Sequence, residues 1–349
     1  MSRRKFTIGV ATPAGMSAPY AYFTPAVALG YDRDEELEFA FFYGGEPGST
    51  ARSLCQGACD IACLNTIVGF MGRAEGLPML AIGSKARRAH RYFAVIPESP
   101  VGKLSDLHGK MIACDFPHIQ PLAEAALDEE GVGPSKFKWV PWQGSGMQIR
   151  DMIEPLRRGE VDALFLMDWT VGDAIARGLK LRHLRSKLLE RIRVSSCYWT
   201  TEATFATNED VLARALRALQ KSLVFSFTNP QAALEAMWET YPETKPPPGL
   251  RDAVLRHDVE VLKSCLEPMR IDEHDPDPRW CAIPAQEMIA WQDFLLRSGV
   301  LHRELDLKRL YTTALVARIN DFNAEEIRTA ARLSFSKAAN HLNTGLSRT

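Results

Sequence analysis

Two successive stretches of alternating strand and helix patterns constrain this chain more than any other feature of its sequence. The strands expected in the first stretch are 5–11, 37–42 and 60–64, and those in the second are 91–97, 110–114, 137–140 and 161–166. Helical segments lie between most of these strands, and the connections are short. This alternation is typical of a parallel sheet covered by helices, where right-handed crossovers are strongly favoured. The sequence therefore predicts an α/β protein with two sheet-containing units.

The distal part of the chain has a different pattern. An extended segment is expected at 197–205, and helical spacing dominates after it. Asn208 precedes two acidic residues and a helical apolar repeat, which is the pattern of a capped helix start. Residues 245–249 read Lys-Pro-Pro-Pro-Gly and should interrupt the helices. Further helices are expected at 285–297, 307–322 and 324–342.

The composition excludes several classes of protein. Hydrophobic residues make up 46% and charged residues 24% of the 349 positions, which is ordinary for a globular chain of about two domains. The formal net charge of -1 provides no global positive field for nucleic acid or an anionic membrane. No stretch reaches the roughly 18 apolar residues of a spanning helix, so the chain is not expected to be embedded in a membrane.

The first residues determine the expected location. Arg3, Arg4 and Lys5 form a basic opening that superficially resembles a twin-arginine export signal. Cleavage after Ala18 or Ala21 would remove the first predicted strand, so the opening is interpreted as part of the fold. We expect a cytoplasmic protein if Met1 is the native start, and a periplasmic one if a leader has been removed.

The seven cysteines and an acidic segment raise the question of metal binding. An odd number at irregular spacing is not a disulfide framework. Cys55, Cys59 and Cys63 are four residues apart, but a predicted helix end and a predicted strand separate them, so core packing is favoured over a metal site. The segment 272–278 carries acidic residues between prolines and is interpreted as a solvated loop. No metal or cofactor is predicted.

Three stretches together resemble the substrate-binding proteins of ABC importers. They are Gly45 to Asp60, with its Gly57-Ala58-Cys59-Asp60 turn; Ile96 to Lys110, with Leu104-Ser105-Asp106-Leu107-His108-Gly109-Lys110; and Arg158-Gly159-Glu160-Val161-Asp162-Ala163. The sequence is similar to the branch of thiamine-precursor, sulfonate and nitrate binders, which is related to the fungal pyrimidine synthases. Weaker similarity extends over most of the chain.

This resemblance implies a two-lobed type II periplasmic-binding-protein-like fold with a helical C-terminal extension. Lobe one would comprise residues 1–92 plus 200–349 and lobe two residues 93–199, with crossing strands near 91–97 and 197–205. A small polar, ring-containing ligand would be captured between the lobes by hinge closure. The implied partners are that ligand and an ABC permease.

Ligands of open α/β sheets bind beyond the carboxyl ends of strands, so the residues that follow each predicted strand are the candidates. The candidates are Ser17, Tyr20, Tyr22, Gly45, Glu46, Gly48, Ser49, Thr50, Asn65, Thr66, Asp115, Phe116, His118, Gln120, Trp142, Asp168 and Trp169.

These candidates divide by chemistry. The helix start at Gly48-Ser49-Thr50 suits a carboxylate, phosphate or sulfonate, although its hydroxyls could instead cap their own helix. The aromatic candidates could face a flat ring. His118 could donate to a ligand or act as a general base, and Asp168 with Glu46 could accept from an amine or ring N–H.

Two other functions remain open on the same scaffold. One is a cytoplasmic enzyme similar to a pyrimidine synthase or an aromatic-acid decarboxylase. Against it, the segment 195–199 contains a single cysteine, unlike the cysteine-rich motif of the fungal synthases, and no lysine is obviously placed for a Schiff base. The other is a cytosolic ligand sensor that works through a protein partner.

Overall fold

A computed structural model describes residues 3–12, 15–114, 119–140, 149–272 and 275–344. Ten strands within these ranges form two five-stranded sheets. The strands are β1 Arg4–Val10, β2 Leu37–Tyr43, β3 Ile61–Asn65, β4 Met79–Arg88, β5 Arg91–Val95, β6 Met111–Cys114, β7 Lys138–Val140, β8 Ala163–Met167, β9 Arg182–Leu184 and β10 Arg193–Thr201. Sheet one has the order β2-β1-β3-β10-β4, and sheet two has the order β7-β6-β8-β5-β9.

The helices cover both sheets. The α-helices are α1 Thr24–Ala28, α2 Tyr31–Asp34, α3 Pro47–Cys55, α4 Thr66–Ala74, α5 Gln120–Glu129, α6 Ile149–Arg157, α7 Asp168–Ala176, α8 Lys187–Arg191, α9 Glu202–Thr228, α10 Pro230–Thr240, α11 Arg251–Leu266, α12 Ala285–Arg297, α13 Val316–Ile319 and α14 Ala324–Thr344. Short 3-10 helices are Ala18–Phe23, Leu104–Leu107, Pro134–Lys136, Pro242–Thr244, Glu267–Met269 and Leu307–Arg309. Within the described ranges, no helix combines the length and apolar character needed to cross a membrane.

Both sheets are mixed, whereas the sequence predicts parallel sheets. β1, β2 and β3 run parallel, but β10 pairs antiparallel with both β3 and β4. In sheet two, β6 runs parallel to β7 and β8, whereas β5 is antiparallel to β8 and β9. The reversed strands follow the two passages of the chain between sheets, β4 to β5 and β9 to β10. A strand that enters from the other sheet runs antiparallel to its neighbours. Short-range periodicity in the sequence does not predict this direction.

The second passage differs in position from the expected extended segment at 197–205. β10 starts earlier, at Arg193, and Glu202 already begins α9 because the Thr201 side chain accepts from the N–H of Thr204. Asn208, the predicted cap, instead has non-helical angles inside α9 and marks a kink there. Residues 193–199 therefore pair within sheet one.

The Gly-x-x-Asp segments have the same role in each sheet. Gly57 and Gly159 have positive φ angles of 82° and 69° and end their helices. The Asp60 carboxylate accepts from the N–H of Thr7 at 2.7 Å, and the Asp162 carboxylate accepts from the N–H of Met111 at 2.8 Å. Each aspartate thus fixes the start of one strand against its parallel neighbour. The resemblance rests on residues with an identifiable structural function.

The distal helices complete sheet one on both faces. Leu212, Leu216 and Leu262 belong to the buried cluster that contains Ile8 of β1. Helix α12 packs on the opposite face, in the cluster of the fully buried Trp199. The beginning and the distal half of the chain therefore share their cores.

Some elements were not predicted from the sequence, and one predicted helix is wrong. β4 and the helices α4 and α7 are absent from the sequence prediction, because their apolar runs lack clear periodicity. The helix expected at 307–322 is wrong, since only Leu307–Arg309 and Val316–Ile319 are helical. Between them, Tyr311 forms a β-bridge with Ala81 at the edge of sheet one, so tertiary pairing overrides the local pattern. The helices at 285–297 and 324–342 are confirmed.

Burial indicates the structural roles of two cysteines and of the acidic segment 272–278. Cys59 lies in one core cluster and Cys63 in the other, on opposite faces of sheet one, so they serve packing. The expectation of a solvated acidic loop is wrong for Asp275, which is 7% exposed. Its carboxylate lies 3.2 Å from the Nε of Arg87, and both side chains are buried. The loop is thereby fastened to β4.

Candidate functional site

The carboxyl ends of β1, β2, β3 and β4 lie at the same end of sheet one. This row of strand ends is called the edge below, and it is the candidate site. β3 and β4 both pair antiparallel with β10, so they run in the same direction as each other and as β1 and β2. The segment after β1, the start of α3, the start of α4 and the end of β4 therefore converge there. The passage from β4 to β5 leaves from the same edge.

The 3-10 helix Ala18–Phe23 brings the first candidates to this edge. Ser17 precedes it in an extended conformation, and its buried hydroxyl finds no hydrogen-bond partner among the described residues. Tyr22 is 2% exposed and belongs to the core, so its ring is not accessible to a ligand as the sequence predicted. Its hydroxyl accepts a hydrogen bond from the Nζ of Lys85 on β4 at 3.1 Å. Tyr20 is only partly buried and packs at the border of the same cluster.

The start of α3 divides its candidates between scaffold and surface. Thr50 is fully buried, and its hydroxyl donates to the carbonyl of Glu46 at 3.0 Å, so it serves the helix itself. Ser49 and Glu46 are exposed, and Glu46 makes no side-chain cap. Gly45 has a φ of 74°, which lets the chain turn into the helix.

The start of α4 is similar. Asn65 ends β3, is half-buried and makes no capping hydrogen bond with its side chain. Thr66 is fully buried, and its hydroxyl donates to the carbonyl of Val194. Asn65 is thus available at the edge, whereas the Thr66 hydroxyl is used to hold β10.

The candidates from sheet two are described in part. Asp115, Phe116, His118 and Trp142 lie outside the described residues. Gln120 is the first residue of α5 and is half-buried. Asp168 is the first residue of α7, is 7% exposed and accepts from the N–H of Trp169 at 2.8 Å. Trp169 packs against the core cluster of sheet one although its helix, α7, follows a strand of sheet two.

Tyr20 and Asp168 are brought together from different sheets. Burial raises the pKa of the Tyr20 hydroxyl, and the neighbouring Cys265, Asp168 and Cys63 raise it further. Burial followed by Asp168 also raises the pKa of Tyr92 on β5. Asp168 therefore acts electrostatically on Tyr20, which follows a strand of sheet one, and on Tyr92 of sheet two.

Helices α7 and α11 form a close contact between the two units. Gly172 on α7 is buried, and a Cβ there would lie 2.8 Å from the Cα of Val261 and 3.0 Å from the carbonyl oxygen of Glu260. Such an approach of backbones is possible only for glycine. Val171 and Ala174 join α7 to the core of sheet two, whereas Val261 joins α11 to the core of sheet one.

An ion pair beside this contact also joins α7 to α11. The Nε2 of His257 on α11 lies 2.6 Å from the Oδ1 of Asp173 on α7, and its Nδ1 lies 2.8 Å from the Oδ1 of Asp258. Arg177 also donates to Asp173, at 2.8 Å. The hydrogen bonds to Asp173 and Asp258 raise the pKa of His257 to about 9. The histidine is therefore charged at neutral pH and joins the two helices electrostatically.

The contribution of this pair should depend on pH in the alkaline range. The pKa of His257 is near 6.5 when unfolded and about 9 when folded. Its stabilisation is thus fully present below pH 6.5 and is lost as the pH rises through about 9. We expect His257→Gln to lower the free energy of unfolding at pH 6, and the difference from wild type to shrink towards pH 10. Urea unfolding across this range measures it, and the exposed His302→Gln is the control. A difference that stays constant with pH would contradict the assignment.

Two cavities lie near the candidate residues. One, of about 340 Å³, lies between the sheets and is lined by Arg88 and Arg193 from sheet one, by Tyr92 and His183 from sheet two and by Glu267 of the tail. The rings of Tyr92 and His183 stack with centroids 4.9 Å apart. This cavity adjoins both passages of the chain between the sheets. A change in the angle between the two sheets would therefore change the volume of the cavity. The other, of about 190 Å³, lies between α3 and α4 and is lined by Glu46 and Gly48 among others.

Sequence reasoning missed several residues at this edge. Lys85, Tyr92, His257 and Cys265 were not among the candidates. Lys85 carries a recognisable signal, since it is a lone lysine after a run of buried residues from Met79 to Ser84. His257 and Cys265 carry none, because they reach the site only through the packing of α11.

Comparison with known proteins agrees with this architecture. The most similar structures include the periplasmic aliphatic sulphonate binding protein SsuA from Escherichia coli, with a TM-score of 0.64 and 16% identity over 88% of this chain and 92% of that one. The alkanesulfonate-binding protein SsuA from Xanthomonas axonopodis pv. citri, bound to MOPS, has a TM-score of 0.61 and 14% identity over 91% and 98%. The desulfurization enzyme DSZB has a TM-score of 0.58 and 16% identity over 91% and 99%.

The fold is therefore the α/β fold of type II periplasmic binding proteins, with a helical C-terminal extension. Residues 20–233 match the family described as NMT1/THI5 like, and this chain belongs to that family. No curated protein matches the chain in sequence. The resemblance noted from the sequence is confirmed at the level of family and fold.

Proposed function

We propose that this protein is the solute-binding component of an ABC importer and captures a small polar, ring-containing molecule between two lobes. The observation that carries the proposal is the packing of Tyr20, which follows a strand of sheet one, and Trp169, which follows a strand of sheet two, against the same buried cluster at the edge where strand ends meet. Lobe one comprises residues 1–92 plus 200–349 and lobe two residues 93–199, with strand pairing favouring the transfer of 193–199 to lobe one.

The mechanism is hinge closure. The chain crosses between the sheets at the β4–β5 and β9–β10 connections, which act as hinges. Contacts of the ligand with both lobes stabilise the closed state, and the shift is limited by the difference in affinity for the two states. The close contact of α7 with α11 belongs to the closed state. In that state the lobes present a defined surface to the permease.

The proposed location follows from the same relatives. The sulphonate binding protein SsuA from Escherichia coli is periplasmic, and a binding component must meet its ligand outside the membrane that its permease spans. We propose periplasmic action for this protein. Fractionation of its native host with an antibody tests this, and recovery only in the cytoplasm would favour the sensor or the enzyme.

An enzyme on the same scaffold is the second candidate, because DSZB is matched nearly as well as the SsuA proteins. The two functions differ in what happens to the bound compound. Prolonged incubation followed by mass spectrometry distinguishes them, since a binding protein returns the compound unchanged.

The binding test uses calorimetry against a panel of pyrimidines, aromatic carboxylates and arylsulfonates. The proposal predicts saturable binding with a 1:1 stoichiometry for at least one class. Tyr20→Ala and Asp168→Ala should both weaken it, because each lobe contributes to the site. A protein that binds no member of the panel, or binds equally after both substitutions, would contradict the proposed site.

A further inference from the structure

Lys85 is a cation of the candidate site that the sequence did not indicate, and its surroundings are unusual. It lies on β4 between Ser84 and Ala86, both about 3% exposed. The lysine itself is half-buried. An ammonium group in such a position loses hydration, and this cost is normally offset by a carboxylate.

No carboxylate offsets it within the described residues. No Asp or Glu of that part of the chain lies within 4.0 Å of the Lys85 Nζ. The Lys85 Nζ donates to the Tyr22 hydroxyl at 3.1 Å and lies 5.4 Å from the centroid of the Tyr22 ring. An ammonium has three donors, and one phenol accepts one of them.

One histidine and two cysteines around Lys85 are neutral at pH 7. Burial lowers the pKa of His90 well below its ordinary value, and Arg91 and Lys85 lower it further. Burial raises the pKa of Cys63 to about 12, against a smaller opposing effect of Lys85. Burial also raises the pKa of Cys265. These three neighbours provide no negative charge. The carboxylate of Asp168 acts on Cys265 together with Lys85, but no ion pair within 4.0 Å joins Asp168 to Lys85, so the ammonium can contact an anion that enters the edge.

We propose that Lys85 binds the negatively charged head group of the ligand, and that the ligand is therefore an organic anion with its ring towards Tyr20. This inference rests on the proposed function and adds to it a residue that recognises the charge of the ligand. The anion donors expected from the sequence were the N–H groups at the start of α3 and His118. Lys85 adds a full charge at the same edge and makes the site select anions over neutral compounds of the same shape.

The experiment compares matched probes on the full chain. Benzenesulfonate and benzoate are titrated against benzenesulfonamide and benzamide, which have similar shapes without the charge. Lys85→Met should weaken binding of the anions by about ten- to a hundredfold, the effect of one charge-assisted hydrogen bond. Binding of the neutral probes should stay within about twofold, and Lys85→Arg should retain anion binding.

The control removes the same charge elsewhere. Lys263→Met on the exposed side of α11 should leave anion affinity unchanged, which separates a local contact from net charge. Circular dichroism and thermal unfolding establish that Lys85→Met is folded, and unchanged binding of a neutral probe confirms it in the site. If the wild type binds anions and Lys85→Met binds them equally, this inference is overturned while the proposed function stands. If the wild type binds none of the probes and none of the wider panel, the proposed function fails as well.

Discussion

Gly172→Leu is expected to weaken ligand binding by about 5- to 150-fold in a protein that remains folded. Any side chain at Gly172 meets the backbone of α11, with a Cβ 2.8 Å from the Cα of Val261. Backbone cannot move aside as a flexible side chain does, so α7 and α11 must separate. Overpacking a fitted contact costs about 1–3 kcal/mol, and here the cost falls on the closed state alone.

The substitution should not harm α7 itself. Leucine is a better helix former than glycine by nearly 1 kcal/mol in a helix interior. Ile175→Ala is the matched control, because Ile175 lies on the same helix and is 51% exposed. Calorimetry with the tightest ligand of the panel gives the affinities. Wild-type affinity for Gly172→Leu would show that the α7–α11 contact is not part of closure.

Asp275→Ala is expected to lower the free energy of unfolding by about 3–5 kcal/mol. Arg87 is buried with Asp275, their atoms 3.2 Å apart, and its other partners are the backbone carbonyls of Asp277 and Arg279. Loss of the carboxylate removes the largest attraction on the buried guanidinium and leaves the smaller attraction of Asp277. Arg193 lies 3.7 Å from the same carboxylate and loses its partner too.

Urea unfolding measures this effect, with Glu190→Ala as the control. Glu190 pairs with Arg185 on the surface, where such pairs contribute about 0–1 kcal/mol. A double variant, Arg87→Met with Asp275→Ala, should recover part of the loss because both charges are then absent. Equal destabilisation by Asp275→Ala and Glu190→Ala would show that the Arg87 pair has no special role.

The sequence predicted elements where periodicity and helix ends are local. The strands β1 to β3, the Gly-x-x-Asp turns and helix α12 were predicted within a few residues, since each depends on neighbouring residues. β4 was missed because it is buried on both faces and carries no alternation, and the direction of β10 depends on a chain passage from another sheet. The helix expected at 307–322 failed because Tyr311 pairs with a distant strand.

The candidate site was predicted with the same limits. Residues after β1, β3 and β8 do reach the expected edge, because strand direction places them there. Burial then separates them, since Thr50 and Thr66 are fully buried while Ser49 is exposed. Lys85 and His257 required the tertiary structure, because each acts through a partner distant in sequence.

Small-angle X-ray scattering of the protein with and without a saturating ligand tests hinge closure most directly. The account predicts a smaller radius of gyration for the wild type on saturation, and no such decrease for Gly172→Leu under the same conditions. A wild-type protein that binds its ligand in calorimetry with an unchanged radius of gyration would contradict closure of two lobes around the solute.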